Sequence, residues 1–586
     1  MSKLNFFLLT FLFLSYSLGA QSIFDTPHDR YDSSISTTQI NFPNPLNKRA
    51  TITKPPGMEV RPMAEWEEID AITITWARYF ETLAEIVKYA QLECKVYINC
   101  ASAEEVRQQL DSYGVAYGDN VIFLENQVFD SVWIRDYGPN SAYLNNVDSL
   151  IFVDWIYNRS ARPADDILPA SIAEHIDVPL FETSEGIFHL TATGGNFMSD
   201  GIGKAFSSKL IINENKDITE EDIDQIMLEF MGVKDYTKFD KLQFDGIHHI
   251  DMHMKLLDEE RFIFGEYPDD KADHDIIEAN IEYLLANTEN AYGEPYEIIR
   301  IPMPPDFNGE YPSESNTADF RTYTNALFIN RMILVPTYQT KYDTTALRIW
   351  RETMPGYNVI GIRCNSLISA FGAIHCVTKE IGVRDPLRIV YQKIKNQEKS
   401  NASGYLLNAT IQHRSGIKSA FLHYRSKGDE VYEKVEMEFT DFQADLYSAS
   451  IPNFTDQGVV EYFVQVTANS GKSISRPIPA PEAYYSFNIQ EKSNATSSTL
   501  GNAFVEAAFP NPSNGLVCIP ISLAKAITAN LALYNVHGKL IEVIHEGKLN
   551  AGSSKHFLNV AAYPSGLYTL RLTNRQDVYT QKLVVE

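Results

Sequence analysis

Four short stretches of this 586-residue chain carry residue types that could do chemistry. The first, VWIRDYGP from Val132, sets Arg135 and Asp136 between aromatic residues and a Gly-Pro turn. The two charges could form a local ion pair at the end of a strand. Alternatively, Asp136 projects into a cleft of which Trp133 forms a wall. The residues alone leave both interpretations open.

The second stretch, TGGNFMSDG from Thr193, places two glycines before an asparagine. Paired glycines permit a tight backbone and the close approach of another group. The GIGKAFSS that follows has some likeness to a phosphate loop, but the required spacing is not met. No Gly lies five residues before Gly203, and Ala205 rather than Ser or Thr follows Lys204. We therefore expect no nucleotide binding here.

The third stretch is IHHIDMHMKLL, which begins at Ile247. In a strand, His249, Asp251 and His253 would share one face and His248 would point to the other. Two His and one Asp so close together can hold a metal ion, although ligands two apart on one strand rarely converge. The alternatives are buried structural histidines, or a pair in which His249 transfers a proton and Asp251 binds a cation.

The fourth stretch, GAIHCVTKEIG from Gly372, contains Cys376. A lone cysteine is usually a small core residue. In a secreted enzyme with a His-x-Asp sequence upstream, however, such a cysteine is a candidate nucleophile, provided that the groups meet in the fold.

These motifs all fall between about residues 56 and 387, where short β-branched runs alternate with helical patterns. The alternation predicts an α/β domain. From about 388 to 490 the chain shows short alternating strands separated by turn residues. About seven strands in ~100 residues is typical of a β-sandwich. A Ser/Thr/Asn-rich linker at 493–501 then precedes a small all-β unit that begins at about 496.

The overall composition narrows the class of function. Lys and Arg number 50 and Asp and Glu number 76, so the net charge is −26. Such a chain should repel nucleic acid, whose binding needs clustered basic residues. An acidic surface suits cationic substrates, although it more often only keeps a protein soluble. The chain has 44% hydrophobic and 22% charged residues. This composition excludes a fully disordered chain, a collagen and a coiled coil.

The N-terminal residues have the plan of a secretory signal peptide over residues 1–20. Lys3 supplies the positive start, an apolar run follows from Phe6, and small residues close the segment. The apolar run is too short to span a bilayer, which needs about 20 residues. Residues 21–49 are polar and end in Lys48-Arg49. That basic pair is either a processing site for a pro-segment or part of a plain surface linker.

Together the four motifs resemble the guanidine-modifying superfamily with the pentein fold, in its branch of agmatine deiminases and bacterial peptidylarginine deiminases. The order Arg-Asp-Tyr-Gly-Pro, Gly-Gly-Asn, His-x-Asp, Ile-His-Cys matches that branch, and Asn325 in TYTNALFINRMILVP adds a fifth landmark. The resemblance implies a deiminase domain over residues 50–387. Its fold would be a five-bladed α/β propeller of ββαβ units, with the site in the central channel.

The last part of the chain resembles the C-terminal sorting domain of type IX secretion. The matching motifs are FPNPSNG from Phe509, YNVHGK from Tyr534 and SGLYTLRL from Ser565. This resemblance implies that residues 496–586 engage the type IX secretion machinery after Sec export. We therefore expect a secreted or outer-surface enzyme, with an Ig-like β-sandwich over 388–490 between its catalytic and sorting domains.

The family's chemistry implies a role for each landmark. Asp136 and Asp251 would hold the guanidinium, whose planar fork of donors pairs bidentately with carboxylates. The thiolate of Cys376 would attack the guanidinium carbon and form a thiouronium intermediate. His249 would protonate the departing ammonia and then activate water, while Asn325 positions the reacting groups. This chemistry needs no metal and no organic cofactor.

Four further residues are expected to bind the substrate: Trp133, Ile247, Arg159 and Arg162. In the bacterial peptidyl enzymes, two Arg after Tyr-Asn grip the carboxylate of a C-terminal arginine, and VDWIYNRSARPADD supplies Arg159 and Arg162. The family spacing is one residue shorter. In an extended segment these two side chains would point to opposite faces, unless a bulge or turn intervenes. The alternative is a solvated Arg pair.

Three functions agree with these observations. The first is a secreted peptidylarginine deiminase, which makes citrulline in peptides or proteins. The second is an agmatine deiminase, which makes N-carbamoylputrescine, a step of putrescine biosynthesis. The third is an inactive pentein domain used for binding or adhesion, which the intact landmarks argue against. The signal peptide and the two β-domains favour the first function over the second. So does Thr193, because many agmatine deiminases have Glu at that position.

Overall fold

The computed structural model describes ten ranges of the chain: 51–271, 273–398, 404–453, 458–490, 503–505, 508–509, 511–523, 525–550, 552–574 and 578–585. The predicted signal peptide and pro-segment lie outside the described residues, as does most of the linker before the C-terminal unit.

The first part of the chain contains five small sheets, each of which mixes parallel and antiparallel pairs. Their strands, in sheet order, are Val60–Pro62, Asn140–Leu144, Ser149–Asp154, Leu180–Glu182; Asp235–Phe239, Lys204–Ser208, Met198–Ser199; Met254–Leu256, Arg261–Glu266, Glu297–Pro302; Leu327–Ile329, Met332–Thr337, Asn358–Arg363; and Lys379–Gly382, Ile69–Thr75, Lys95–Asn99, Val121–Leu124.

Helices connect these strands. The α-helices are Phe80–Ala90, Ala103–Ser112, Ile134–Tyr137, Pro163–Ile176, Leu210–Glu214, Glu220–Met231, His274–Asn287, Thr340–Thr353 and Asn365–Ile368, and single 3-10 turns lie at Gly186–Phe188, Gly194–Asn196, Ile250–Met252 and His375–Val377. The strands and helices confirm the predicted α/β class.

The sequence of helix Glu220–Met231 explains its bounds and its packing. Thr219 and Asp222 form a capping box at its start, which satisfies backbone N–H groups that have no partner within the helix. Gly232 ends it in the left-handed conformation, which glycine adopts at no steric cost. The buried side chains recur at helical spacing and include Ile223, Ile226, Met227 and Phe230.

The same order of elements recurs in all five sheets. Two antiparallel strands are followed by a helical connection and by a strand that returns parallel to the second. A parallel return needs such a crossover, because a tight hairpin can join only antiparallel strands. In the fifth sheet the antiparallel pair is made from the two ends of the unit: Lys379–Gly382 pairs with Ile69–Thr75. Among the described residues no strand belongs to two sheets.

Residues 388–490 form a separate all-β region with its own apolar core. Its strands are Arg388–Val390, Tyr405–Gln412, Leu446–Ile451 and Glu438–Asp441 in one sheet, and Gln397–Glu398, Tyr485–Gln490, Gly458–Ala468, Ile417–Ser426, Glu433–Glu436 and Ser473–Arg476 in another. These are ten strands where the sequence suggested about seven. Arg476 donates to Glu259 over 2.6 Å, so this region contacts the α/β part through a partly buried ion pair.

The described residues of the C-terminal region are also all β and have an apolar core of their own. One sheet contains Ala503–Val505, Leu516–Leu523 and Gly552–Asn559, and the other contains Leu540–Leu549, Ile527–Asn535, Gly566–Thr573 and Val578–Val585. Its strands alternate between buried and exposed positions, as Gly566–Thr573 does. In the part of the chain that the structure describes, no helix is long and apolar enough to cross a membrane.

At three of the motifs the structure decides between the conformations that the sequence left open. The segment from His249 to His253 is not a strand, because a 3-10 turn covers Ile250–Met252 and the strand begins at Met254. Asp136 lies in the short helix Ile134–Tyr137 rather than at a strand end. Arg159 and Arg162 belong to a turn, in which the N–H of Arg162 donates to the carbonyl of Arg159 over 2.9 Å. In each case irregular backbone replaces the alternation assumed for a strand.

Candidate active site

The five motifs occupy one equivalent place in the fold. Each lies a few residues before a strand that forms the antiparallel pair of a different sheet. These positions are Trp133 to Asp136 before Asn140–Leu144, Thr193 to Gly195 before Met198–Ser199, His249 to Asp251 before Met254–Leu256, Asn325 before Leu327–Ile329, and Cys376 before Lys379–Gly382. Five equivalent chain segments therefore each supply part of one site.

Cys376 lies in a 3-10 turn that Asn325 holds in place. The Nδ2 of Asn325 donates to the Sγ of Cys376 over 3.1 Å. Its Oδ1 accepts from the backbone N–H of His375 at 3.0 Å and from that of Cys376 at 3.4 Å. Both Asn325 and Cys376 are buried. One amide side chain thus fixes the turn and the orientation of the thiol together.

The surroundings of Cys376 disfavour a thiolate while the site holds no substrate. Burial raises the pKa of this thiol well above its ordinary value, and the charges of Asp251 and Asp136 raise it further. The same two carboxylates would attract a cation. A bound guanidinium would offset their charge and thereby favour deprotonation of the sulfur.

Asp251 has one oxygen engaged and one open. Its Oδ2 lies 2.8 Å from His375 Nδ1 and 3.8 Å from the Sγ of Cys376. Its Oδ1 is buried and has no hydrogen-bond partner among the described residues. Burial by itself raises the pKa of Asp251, but the hydrogen bond and charge of His375 outweigh it, so the pKa lies below its usual value. Asp251 is therefore suited to receive a cationic donor at Oδ1.

Asp136 and His249 lie side by side. The Nδ1 of His249 is 3.4 Å from Oδ1 of Asp136, and the backbone N–H of Gly195 donates to the same oxygen over 3.3 Å. On the other edge of the ring, Nε2 lies 3.2 Å from the hydroxyl of Thr193. Burial raises the pKa of Asp136, and the charge of His249 only partly offsets this. The two aspartates of the site thus differ in their protonation behaviour.

Gly195 shows that these groups converge on one point. A Cβ at this residue would lie 2.6 Å from His249 Nδ1, 2.9 Å from Asp136 Oδ1 and 3.3 Å from Asp251 Oδ2. Only glycine leaves those atoms where they are, because contacts below 3.0 Å force something to move. The Gly-Gly-Asn motif therefore gives the close approach that the sequence suggested.

Trp133 lies beside the cysteine turn. A Cβ on Gly372 would lie 2.3 Å from the Trp133 ring and 3.1 Å from the Cβ of Cys376. Trp133 is buried, as is Ile247, which precedes His249 by two residues. The Trp133 ring therefore lies against the turn that carries Cys376. The expected role of Ile247 rests on its burial and on its place in the chain two residues before His249.

The two arginines considered for a carboxylate clamp differ in their surroundings. Both are buried. Arg162 donates to the hydroxyl of Tyr157 over 3.3 Å. Burial raises the pKa values of Asp136 and Glu214, and the charge of Arg159 partly counteracts this in both. The charge of Arg159 therefore acts on Asp136, one of the two candidate catalytic carboxylates, and on Glu214.

A second layer of charged residues lies behind the cysteine turn, and the sequence analysis missed it. Arg135 pairs bidentately with Glu380 at 2.7 and 2.8 Å, and its Nε donates to the carbonyl of His375 over 3.1 Å. Glu65 contacts both His375 and Lys255. Four of these residues, all except Glu65, lie inside the recognised motifs, and that position is the signal that could have found them.

Possible metal ligands were also compared with the geometry. The one trio of ligand atoms that lie within 4.8 Å of one another, among the residues described, is Glu65, His375 and Glu380. His249, Asp251 and His253 form no such trio there. Glu380 is already paired with Arg135, and Glu65 with Lys255. These cations neutralise the carboxylates, so the trio does not fit a divalent ion.

Comparisons with known proteins agree with this arrangement. Residues 61–381 match the model of the Porphyromonas-type peptidyl-arginine deiminase family. A Mycoplasma mycoides protein named as an agmatine deiminase is 24% identical over 353 residues, which cover 54% of this chain and 94% of that protein. Residues 507–586 match a secretion system C-terminal sorting domain, which supports export and a cell-surface location.

Solved structures share the fold of the first part. One described as an agmatine deiminase has a TM-score of 0.50 at 19% identity and covers 57% of this chain and 99% of its own. An arginine deiminase from Porphyromonas gingivalis has a TM-score of 0.48 at 20% identity, with coverage of 55% and 98%. The chain thus has a mixed α/β, pentein-like deiminase fold followed by an all-β region.

Proposed function

Since the chain belongs to the Porphyromonas-type peptidyl-arginine deiminase family, whose members hydrolyse C–N bonds of amidines, we propose that it converts peptidyl arginine to citrulline and ammonia. The observation that carries the proposal is the convergence of Asp136, His249 and Asp251 on Gly195, with Cys376 beside Asp251. Two carboxylates, an imidazole and a thiol around one point match the needs of a guanidinium substrate.

Binding is the first step of the proposed reaction. The substrate guanidinium donates to Oδ1 of Asp251, which lacks a partner among the described residues, and to the carboxylate of Asp136. Both contacts join opposite charges in a buried site, where they are stronger than in water. The bound cation also lowers the cost of forming a thiolate at Cys376, whose pKa is otherwise raised by burial and by both aspartates.

The chemical steps follow from this complex. The thiol of Cys376 gives its proton to His249 and its sulfur bonds to the guanidinium carbon. His249 delivers that proton to the nitrogen whose bond to the carbon breaks and which leaves as ammonia. Asn325 keeps the sulfur oriented during the attack. His249 then takes a proton from water, which attacks the thiouronium carbon and releases the ureido product and the free cysteine. Each atom of the overall hydrolysis is supplied by substrate and water.

Arg159 and Arg162 bear on the choice among substrates. The turn that joins them removes the objection that their side chains must point to opposite faces. We expect Arg159 to contact the carboxylate of a substrate that ends in arginine, because its charge lies near Asp136. Arg162 would act less directly, since it contacts Tyr157. Trp133 and Ile247 would flank the substrate's apolar chain.

An agmatine deiminase is the second candidate, because a curated relative carries that name. Against it stands Thr193, which contacts His249 and offers no negative charge for a distal ammonium group. The test is ammonia release by the full chain from agmatine, free arginine, a peptide ending in Arg and a peptide with internal Arg. Preference for the peptides supports the proposal, and preference for agmatine replaces it with this second candidate.

The architecture and location complete the proposal. The recurring order of two antiparallel strands, a helix and a parallel strand supports a five-bladed ββαβ propeller, with the site where the five motifs meet. The described residues of each part have apolar cores of their own, two of them in the α/β part, which supports a catalytic domain over 50–387, an Ig-like sandwich over 388–490 and a sorting domain over 496–586. Export would use Sec, directed by the signal peptide 1–20, and then type IX secretion. Mass spectrometry of the mature protein's N-terminus would test removal of residues 1–20.

A further inference from the structure

His375, the residue before Cys376, lies between two carboxylates. Its Nδ1 is 2.8 Å from Oδ2 of Asp251, and its Nε2 is 3.1 Å from Oε2 of Glu65. The ring is fully buried. No step of the proposed reaction uses it.

The two contacts constrain the protonation of the ring. A carboxylate only accepts hydrogen bonds, and a neutral imidazole has a single N–H to donate. Both contacts are hydrogen bonds only when His375 carries protons on both nitrogens. Burial raises the pKa of Glu65, but the charges of His375 and Lys255 outweigh it and hold that pKa well below its usual value. Glu65 is thus available as the counter-charge.

Charged groups from several elements surround the ring. Asp251 and His249 come from the segment before strand Met254–Leu256, and Lys255 from that strand itself. The other groups are Glu65 ahead of strand Ile69–Thr75, Arg135 and Asp136 in helix Ile134–Tyr137, and Cys376, Lys379 and Glu380 on its own segment. Arg135 contacts the carbonyl of His375 rather than its ring. Within the described chain, Glu65 and Asp251 are the carboxylates that reach the ring nitrogens.

We propose that Glu65 and His375 are positioning residues. Glu65 contacts His375, and His375 contacts Oδ2 of Asp251, so that Oδ1 of Asp251 faces the guanidinium and the carboxylate stays ionised. The proposal rests on the proposed function, because it assumes a guanidinium substrate. We call the Glu65–His375–Asp251 chain the carboxylate relay.

The relay explains why the two aspartates of the site differ. Burial raises the pKa of both. At Asp251 the hydrogen bond and charge of His375 reverse the direction, whereas at Asp136 the charge of His249 does not. Without a cationic His375, the pKa of Asp251 would rise. Because a carboxylate loses its charge as the pH falls through its pKa, activity would then be lost at a higher pH than in the wild type.

Three variants of the full chain test the relay. Glu65→Gln keeps one acceptor oxygen but removes the charge, and His375→Gln removes the ring. Thr378→Val is the matched control, because Thr378 donates to the carbonyls of Ile374 and His375 in the same turn but does not contact Asp251. The measurements are kcat, KM and their pH dependence on the best substrate.

The relay predicts a specific pattern. His375→Gln lowers kcat/KM about 10- to 100-fold, mainly through KM, because the carboxylate it holds binds substrate. Glu65→Gln moves the acid limb of kcat/KM upward by about one pH unit and approaches wild-type activity at alkaline pH. Thr378→Val leaves the acid limb of the kcat/KM profile at its wild-type pH. Loss of activity at all pH values without a shift of the limb would overturn the relay in favour of a purely structural role.

A second readout does not depend on turnover. In the full chain labelled with 15N-histidine, the relay requires one histidine with both ring nitrogens protonated, a signature absent from His375→Gln and reduced to one proton in Glu65→Gln. A singly protonated His375 in the wild type refutes the relay, whatever the substrate proves to be. If the wild type shows the signature but releases no ammonia from arginine substrates or agmatine, the proposed function fails and the relay survives.

Discussion

Asn325 donates to the Sγ of Cys376 over 3.1 Å, and its own Oδ1 accepts from the backbone N–H of His375 at 3.0 Å. The amide therefore orients the thiol and braces the turn that carries it. Since Asn325 precedes strand Leu327–Ile329 and Cys376 precedes Lys379–Gly382, the contact also joins two of the five sheets. The position of the sulfur is set by tertiary structure and not by its own turn alone.

We expect Cys376→Ala to abolish deimination while folding is kept. The side chain is small, so its truncation should leave thermal unfolding near that of the wild type. Cys364→Ala is the control, because Cys364 is buried in the same core and contacts none of the candidate catalytic groups described above. Retention of more than a few per cent of activity in Cys376→Ala would contradict its role as nucleophile.

We expect Asp136→Asn and Asp251→Asn each to lower kcat/KM more than 100-fold. Loss of a charge-assisted pair with the guanidinium costs about 3 kcal/mol, and about 1.4 kcal/mol corresponds to a factor of ten. Steady-state kinetics of both variants at neutral pH is the measurement. A loss below tenfold for either variant would mean that its carboxylate does not hold the substrate.

Gly195→Ala should inactivate the enzyme more than 100-fold, because its Cβ would lie 2.6 Å from His249 Nδ1 and 2.9 Å from Asp136 Oδ1. Displacement of such groups should cost about 3 kcal/mol of transition-state stabilisation. Gly118→Ala is the matched control, since a Cβ there meets nothing within 4 Å. Equal kcat/KM values for the two variants would show that the groups around Gly195 do not need their present positions.

Chelators should leave activity intact, because the proposed chemistry uses a thiol, an imidazole and carboxylates. The alternative interpretation of His249, Asp251 and His253 as metal ligands predicts the opposite. Ammonia release after extended dialysis against EDTA is the measurement. Inactivation by EDTA that zinc then reverses would support the metal site and overturn the mechanism.

A peptide ending in arginine should be preferred to agmatine, which lacks a carboxylate, by roughly 10- to 150-fold in kcat/KM. A carboxylate paired with a buried arginine contributes about 1.5–3 kcal/mol. The preference should shrink sharply in Arg159→Ala and less in Arg162→Ala, because the charge of Arg159 acts on Asp136 whereas Arg162 contacts Tyr157. Equal rates on both substrates, unchanged by either substitution, would favour the agmatine deiminase.

The amino-acid sequence predicts the class of the fold and much of the site. The alternation of strands and helices, the short alternating strands of Tyr405–Gln412 and its neighbours, and the order of the motifs are local patterns that survive in the structure. The sequence does not predict the 3-10 turn at Ile250–Met252 or the turn from Arg159 to Arg162. At both places contacts with residues far away in the chain determine the backbone conformation. Such contacts leave no periodic pattern in the sequence.

The contacts behind the cysteine are the clearest example of what local patterns miss. Glu65 reaches His375 across 310 positions of the chain, so no spacing rule connects them. Similarly, the repeated order of strands and helices was not visible in the residues, because the five units share topology without sharing sequence. Only the motif at the start of each unit marks the repeat.

The pairing of Lys379–Gly382 with Ile69–Thr75 brings the two ends of the α/β part together. Cys376 lies just ahead of the later strand, so the nucleophile is both the last motif to be synthesised and part of the segment that completes the fifth sheet. A chain that ends before Cys376 contains the other motifs but lacks both the thiol and the strand that completes the fifth sheet. Assembly of the candidate site therefore requires the whole α/β part, from its first strand of the fifth sheet to its last.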